Sequence, residues 1–221
     1  MEGFMRGFYS ISEWIMKFAY VNILWIAFSM LGFIAFGIFP ATIAMFTVVR
    51  KWILKQSDIP VLKTFWLTYK KEFVKGNLLG LVIILVGIFI YSNIRIVEAT
   101  TVQVLKLLYI PNVIVILIFL LTLLYIFPVF VHFDVSLAEG IKNAFILMTV
   151  NPMATFCMGI LTGFLCFIFI KLPGLLPFFS GSFIAFLLMW ISNYLFAKMN
   201  KAAKFSVAES GAPGAEINSQ V

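Results

Sequence analysis

Five stretches of this 221-residue chain, 18 to 49, 76 to 94, 107 to 133, 143 to 170 and 172 to 197, contain no Asp, Glu, Lys or Arg. A helix needs about 20 such residues to cross the ~30 Å hydrocarbon core of a bilayer. Hydrocarbon offers backbone amides and carbonyls no partner but each other, so only helices and closed barrels span it. The alternating ten-residue segments of a barrel are absent here. The sequence therefore predicts an all-α, polytopic membrane protein with five transmembrane helices near 18–39, 77–95, 108–130, 152–170 and 177–197. Composition agrees: 63% of residues are hydrophobic and 11% charged, against about 25% charged in soluble domains. One transmembrane domain is expected over 1–205. The Gly-, Ala-, Ser- and Glu-containing segment 206–221 reads as a disordered cytoplasmic tail.

Lys171, Pro173, Gly174 and Pro177 separate the last two spans and predict a tight break between antiparallel helices. The apolar run that begins at Phe18 is too long for a signal peptide and lacks a small-x-small cleavage site, so it reads as a retained first helix. Ahead of it, Phe4, Phe8, Ile11, Ile15 and Phe18 share one helical face and Arg6, Glu13 and Lys17 another. That pattern suits either an interfacial helix or an outward extension of the first span.

Basic residues set the expected orientation. Eleven Lys and Arg fall in the 50–75 connection, at Lys142 and after the fifth span, whereas Arg6, Lys17, Arg95, Lys106 and Lys171 fall on the other side. The positive-inside rule then predicts a bacterial cytoplasmic membrane protein with its N-terminus outside and C-terminus cytoplasmic. The chain's net charge of +7 is matched to anionic membrane lipids and not to nucleic acid, because the basic residues border apolar spans and form no recognition motif.

Ile38-Phe39-Pro40, Lys63 and Phe65, and Lys75-Gly76-Asn77 are echoed by Ile126-Phe127-Pro128, Lys142 and Phe145, and Val150-Asn151-Pro152. The echo suggests a two-helix unit used twice in parallel orientation. Gly76 with Gly80 and Gly159 with Gly163 form GxxxG pairs that allow close helix approach, within the bundle or between copies in a homo-oligomer.

Few residues suggest chemistry. With only Cys157, Cys166 and His132 as soft ligands, no metal site is expected. The common catalytic motifs are absent, so neither cofactor nor enzymatic activity is expected. The 61–75 segment places Phe65, Trp66, Tyr69 and Phe73 on one helical stripe, with Lys63, Lys70 and Lys71 off it. Such a helix serves as an anchor at the headgroup boundary or as a docking surface for a partner. Asn22 and Asn193 are candidate intramembrane bridges, and His132 and Asp134 are candidate polar groups at the membrane edge. Arg95 and Glu98 are spaced for an ion pair.

The series Tyr20-Val21-Asn22-Ile23-Leu24-Trp25, Gly37 through Phe46, Val49-Arg50-Lys51-Trp52 and Phe65 through Gly80 resembles the YesL family, multi-pass membrane proteins of Gram-positive bacteria without an established activity. The resemblance is close over roughly the first 80 residues. It implies a setting beside carbohydrate uptake transporters, their sugar-responsive regulators and polysaccharide-degrading enzymes. The expectation is a non-enzymatic accessory or scaffold of carbohydrate uptake or utilisation, with a carbohydrate transporter or sensor subunit as partner. The alternative is an oligomeric small-solute channel or facilitator.

Overall fold

The computed structural model describes residues 2–56, 58–100, 106–133 and 135–209. They form eight α-helices: α1 (Glu2–Leu31), α2 (Ile38–Ile53), α3 (Val61–Lys71), α4 (Phe73–Ala99), α5 (Tyr109–His132), α6 (Leu137–Val150), α7 (Pro152–Lys171) and α8 (Leu176–Glu209). A 3-10 turn, Pro173–Leu175, joins α7 to α8. No strand occurs among the described residues. Five helices are long and apolar enough to cross a membrane: α1 from Ile11 onward, α4, α5, α7 and the last segment, from Pro173 to Lys201. The fold class expected from the uncharged runs is the one observed. Residues 210–221, most of the expected tail, lie outside the described residues.

The first expected boundary moves. The apolar run from Phe18 does not continue as one helix to Phe39, because α1 stops at Leu31 and the chain reverses. The stop is a Schellman motif: Ile34 N–H donates to Ser29 O at 2.8 Å and Phe33 N–H to Met30 O at 2.9 Å. Phe33 holds the left-handed position with φ 53°, where glycine is usual, and Ile34 follows at φ 62°. Both side chains are exposed. Phe33→Gly should remove the left-handed penalty and stabilise the fold by about 1 kcal/mol, read as a higher thermal midpoint of purified protein in detergent; an unchanged or lower midpoint would contradict this account of the turn.

The reversal sends α2 back through the middle of the bundle. Trp25 Nε1 donates to Thr42 Oγ1 at 3.0 Å, while the Trp52 ring lies 6.0 Å from Trp14 and 6.2 Å from Phe18. Rising numbers on α2 therefore meet falling numbers on α1, and the two are antiparallel. With 16 residues α2 is about 24 Å long. Its Ala41, Ala44, Val48 and Val49 are completely buried. The uncharged run 18–49 holds the apolar part of α1 and most of α2 together, so nothing in its charge pattern separates two helices.

Helix α8 also runs antiparallel to α1. Asn22 meets Pro177 and Gly181, Phe18 meets Phe183 and Phe186, and Trp14 meets Phe186. The beginning of α1 and the end of α8 consequently leave the bundle at one end. The α1–α2 hairpin adds one further pass of the bundle before α4. Since α1 is a single helix from Glu2, the segment before Phe18 extends the first span and is not a separate interfacial helix.

Two halves repeat a plan. In α2–α3–α4 and again in α5–α6–α7, a helix is followed by a short helix, a break at one residue (Glu72 or Asn151) and a longer helix. Tyr125 faces Thr155 and Leu121 faces Gly159, so α7 runs antiparallel to α5. Helix α4 packs closely on α2: a Cβ on Gly80 would lie 2.1 Å from the Phe39 ring, and one on Gly76 3.2 Å from the Pro40 backbone. That GxxxG pair serves close approach within the bundle. The second does not, since Gly159 has ordinary contact with Leu121 and Gly163 has open space around it.

Candidate functional site

The polar and aromatic residues singled out in the sequence fall in three places: on α3 against Phe28 of α1, at the start of α8 against Asn22, and at the end of α5 against Phe196. Helix α3 returns along α2 and turns its stripe inward. Phe65 is fully buried and Tyr69 nearly so. Both rings pack on Phe28 of α1, at 5.0 and 5.2 Å. Burial of its ring pushes the Tyr69 phenol above its ordinary pKa. Trp66 is partly exposed, stacks on Tyr69 at 6.3 Å and carries the Lys70 ammonium 4.8 Å above its ring. Phe73, the first residue of α4, meets Tyr69 edge-on at 5.6 Å. Of the candidate docking residues, Phe65 and Tyr69 thus belong to the core. Trp66, Lys63 and Lys70 face outward, and Lys71 reaches Glu72 at 3.6 Å.

Asn22 is fully buried and acts as a clamp on the start of α8. Its Nδ2 donates to Pro177 O at 2.8 Å and, more weakly, to Leu176 O at 3.4 Å. Its Oδ1 accepts from Gly181 N–H at 2.9 Å and Ser182 N–H at 3.1 Å. Pro177 brings no amide proton, and the side-chain amide bridges the carbonyl and N–H that a regular turn would join. Gly181 permits this approach, since a Cβ there would sit 3.1 Å from Asn22 Oδ1. The bridge expected of Asn22 therefore exists, to α8 backbone. Asn193, half-buried on α8, takes no part in it.

His132 closes α5 with its ring stacked on Phe196 of α8 at 4.1 Å. Its expected neighbour Asp134 lies outside the described residues. Between α2, α3 and α5 a cavity of about 340 Å³ is lined by Thr47, Arg50, Thr68, Lys71, Glu72 and His132, with Ile43, Phe130, Val131 and Val135 as apolar wall. Sequence reasoning missed Arg50 as part of a site. The residue reads as a loop charge beside Lys51 as long as Pro40 reads as the end of a membrane helix. Pro40 instead stands in the first turn of α2, where its missing N–H costs nothing.

The loop after the cavity is fixed by a capping box on α6. Ser136 N–H and Oγ–H donate to Glu139 Oε2 at 3.0 and 2.7 Å, and Glu139 N–H returns to Ser136 Oγ at 3.4 Å. The Ser136 hydroxyl first, and its backbone N–H second, hold the Glu139 carboxyl below the usual carboxylate range. The Ser-x-x-Glu spacing was a readable signal of this start. At the opposite end of the bundle, Arg95 and Glu98 form the expected ion pair at 3.0 Å.

Residues 18–94 match the family described as "Protein of unknown function, DUF624". The chain is also 40% identical over 200 residues to "Uncharacterized protein YteU" of Bacillus subtilis (strain 168), covering 90% of each. The chain belongs to this family. "Uncharacterized protein YesL" of the same organism is 37% identical over 197 residues, 89% of this chain and 92% of that one. "Uncharacterized protein YesV" is 34% identical over 190 residues, 86% and 91% respectively. The match to the family spans the α1–α2 hairpin from Phe18 and most of α4, which are the elements that build the returning pass. No solved structure matches the chain.

Proposed function

We propose that the protein resides in the bacterial cytoplasmic membrane with both termini in the cytoplasm, crosses it six times with α2 as the additional crossing, and serves as a non-enzymatic accessory subunit of a carbohydrate uptake or utilisation system. The observation that carries the orientation is the charge distribution over the antiparallel pairs α1–α8 and α1–α2. With both ends on one side, thirteen of the sixteen Lys and Arg gather there, and only Arg95, Lys106 and Lys171 remain opposite. That is a larger bias than the eleven to five of the five-span reading, and the positive-inside rule places the thirteen in the cytoplasm. Helix α2, too short for hydrocarbon by itself, is acceptable at membrane depth because protein surrounds it.

The accessory reading is supported by two features. The centre of the bundle is filled by side chains such as Val21, Ala44 and Met189, and the intramembrane hydroxyls of Thr122 and Thr155 bond to neighbouring carbonyls, Tyr125 and Met148. Those hydroxyls are spent on packing between helices. The cytoplasmic rim presents Lys63, Trp66 and Lys70, an exposed aromatic bracketed by ammoniums that suits a partner's cytoplasmic face. The carbohydrate setting comes from the resemblance to the YesL family.

The test is crosslinking of a tagged copy in membranes of cells grown on polysaccharide, with Trp66→Ala and Lys70→Glu variants as comparison. Recovery of a sugar-transporter or sensor subunit, lost in the variants, is the expected result. Recovery of the same proteins from cells grown without polysaccharide and from the variants alike would sink the accessory reading.

A further inference from the structure

We propose that the cavity between α2, α3 and α5 binds a phosphate-bearing anion, with the Arg50 guanidinium as its principal donor and His132 as second contact. The cavity sits at the basic end of the bundle. Its volume of about 340 Å³ is at the small end of the ~300–1,000 Å³ typical of small-molecule sites. Arg50 Nε and His132 Nδ1 both line it, are shielded from solvent and have no hydrogen-bond partner. Arginine is charged at every accessible pH and carries five donors, so a half-buried guanidinium whose shielded Nε has no acceptor among the described residues is costly to keep.

The carboxylate in the wall does not relieve Arg50. Glu72, itself buried, is paired with Lys71 at 3.6 Å. The described lining therefore holds two cations, Arg50 and Lys71, against one carboxylate, a net charge of +1. The Thr68 hydroxyl adds a group that donates as readily as it accepts. A planar guanidinium beside such donors in a partly desolvated pocket fits tetrahedral phosphate oxygens, which accept from a fork of two N–H groups. The surrounding excess of Lys and Arg raises the local concentration of anions at the mouth. The phosphate has two sources: the headgroup of an anionic lipid at the membrane edge, or a soluble phosphate compound. This inference stands independently of the accessory reading.

The experiment uses the full chain, purified in phospholipid-free detergent, with inorganic phosphate as one probe. A second preparation is placed in nanodiscs of dioleoyl phosphatidylglycerol or dioleoyl phosphatidylcholine. The readouts are the thermal midpoint and phosphorus-31 line broadening. Saturable stabilisation by inorganic phosphate identifies a soluble source. Stabilisation and broadening only in phosphatidylglycerol identify the lipid. In either case Arg50→Gln should weaken binding at least about tenfold, since a hydrogen bond to a charged group is lost, and His132→Gln should weaken it less. Arg50→Lys keeps the charge without the fork. It should elute as the wild type does and bind with intermediate strength, which separates loss of the site from loss of the fold. Absence of a saturable response to both probes in the wild type, or a wild-type affinity in Arg50→Gln, would overturn the proposal.

Discussion

Gly37→Ala is expected to abolish the α1–α2 hairpin, and with it the protein's accumulation in the membrane. A Cβ at Gly37 would fall 2.3 Å from Ser29 O and 2.8 Å from Phe28 O. These are backbone atoms held by the Schellman motif, so no rotamer change relieves the clash. The partner glycine allows no retreat either, because a Cβ on Gly32 would lie 2.3 Å from Gly37 Cα. Overpacking against side chains usually costs about 1–3 kcal/mol. Here the backbone itself must open, and a loss of about 4 kcal/mol or more is expected, in the range reserved for disruption of a defined structural feature. Alanine is otherwise compatible with the helical φ of −94° and ψ of −34° at this position, so the effect isolates the steric contact. The check is expression and monodispersity by size-exclusion chromatography of detergent extracts. A Gly37→Ala protein with wild-type yield and midpoint would show that the tight turn is not required.

Asn22→Leu should be nearly as damaging. Leucine has the same number of side-chain heavy atoms and higher membrane affinity, so a purely apolar account of the bundle predicts little change. The structure predicts the reverse. Leucine would leave the Gly181 and Ser182 amides and the Pro177 carbonyl without their present partner, beside a fully buried side-chain position. Each buried group so orphaned costs roughly 1–3 kcal/mol, softened where a helix can rebond internally, as the modest energies of membrane hydrogen bonds indicate. A net loss of about 3 kcal/mol is expected, read as a lower denaturation midpoint. Asn22→Gln should recover little, because the longer amide cannot keep the same bonds beside Gly181. A neutral Asn22→Leu would mean that the clamp contributes nothing to the packing of α8 on α1.

The fold class was legible because hydrocarbon imposes one severe rule, and uncharged runs record it directly. The arrangement was less so. Pro40 looks the same at a helix end and in a helix first turn, and only the turn ahead of it, made by Gly32, Phe33, Ile34 and Gly37, decides between them. Two of those four residues take left-handed backbone without being glycine, so nothing local announces the reversal. Read as loop, α2 puts Arg6 and Lys17 on the side opposite the 50–75 connection; counted as a pass of the bundle, it puts them on the same side. The periodicity of α3 was correct, yet its direction was not. An aromatic stripe at helical spacing faces lipid, a partner or the core equally well, and Phe28 supplies the core. Asn22 was recognised as a bridging residue, but its partners are backbone atoms of a helix start, which carry no sequence signature beyond Pro177 and Gly181. Arg50 and His132 stand 82 positions apart and meet only through the packing of α2 beside α5.

The central claim is that the chain passes through the membrane an even number of times and returns to the side on which it began. Reporter fusions test it directly: green fluorescent protein, which fluoresces only when left in the cytoplasm, and alkaline phosphatase, which is active only when exported, each placed at the N-terminus, after Gln56 and at the C-terminus. The account predicts fluorescence and no phosphatase activity at all three positions. Phosphatase activity at the N-terminus combined with fluorescence at the C-terminus would contradict it and restore a five-span chain.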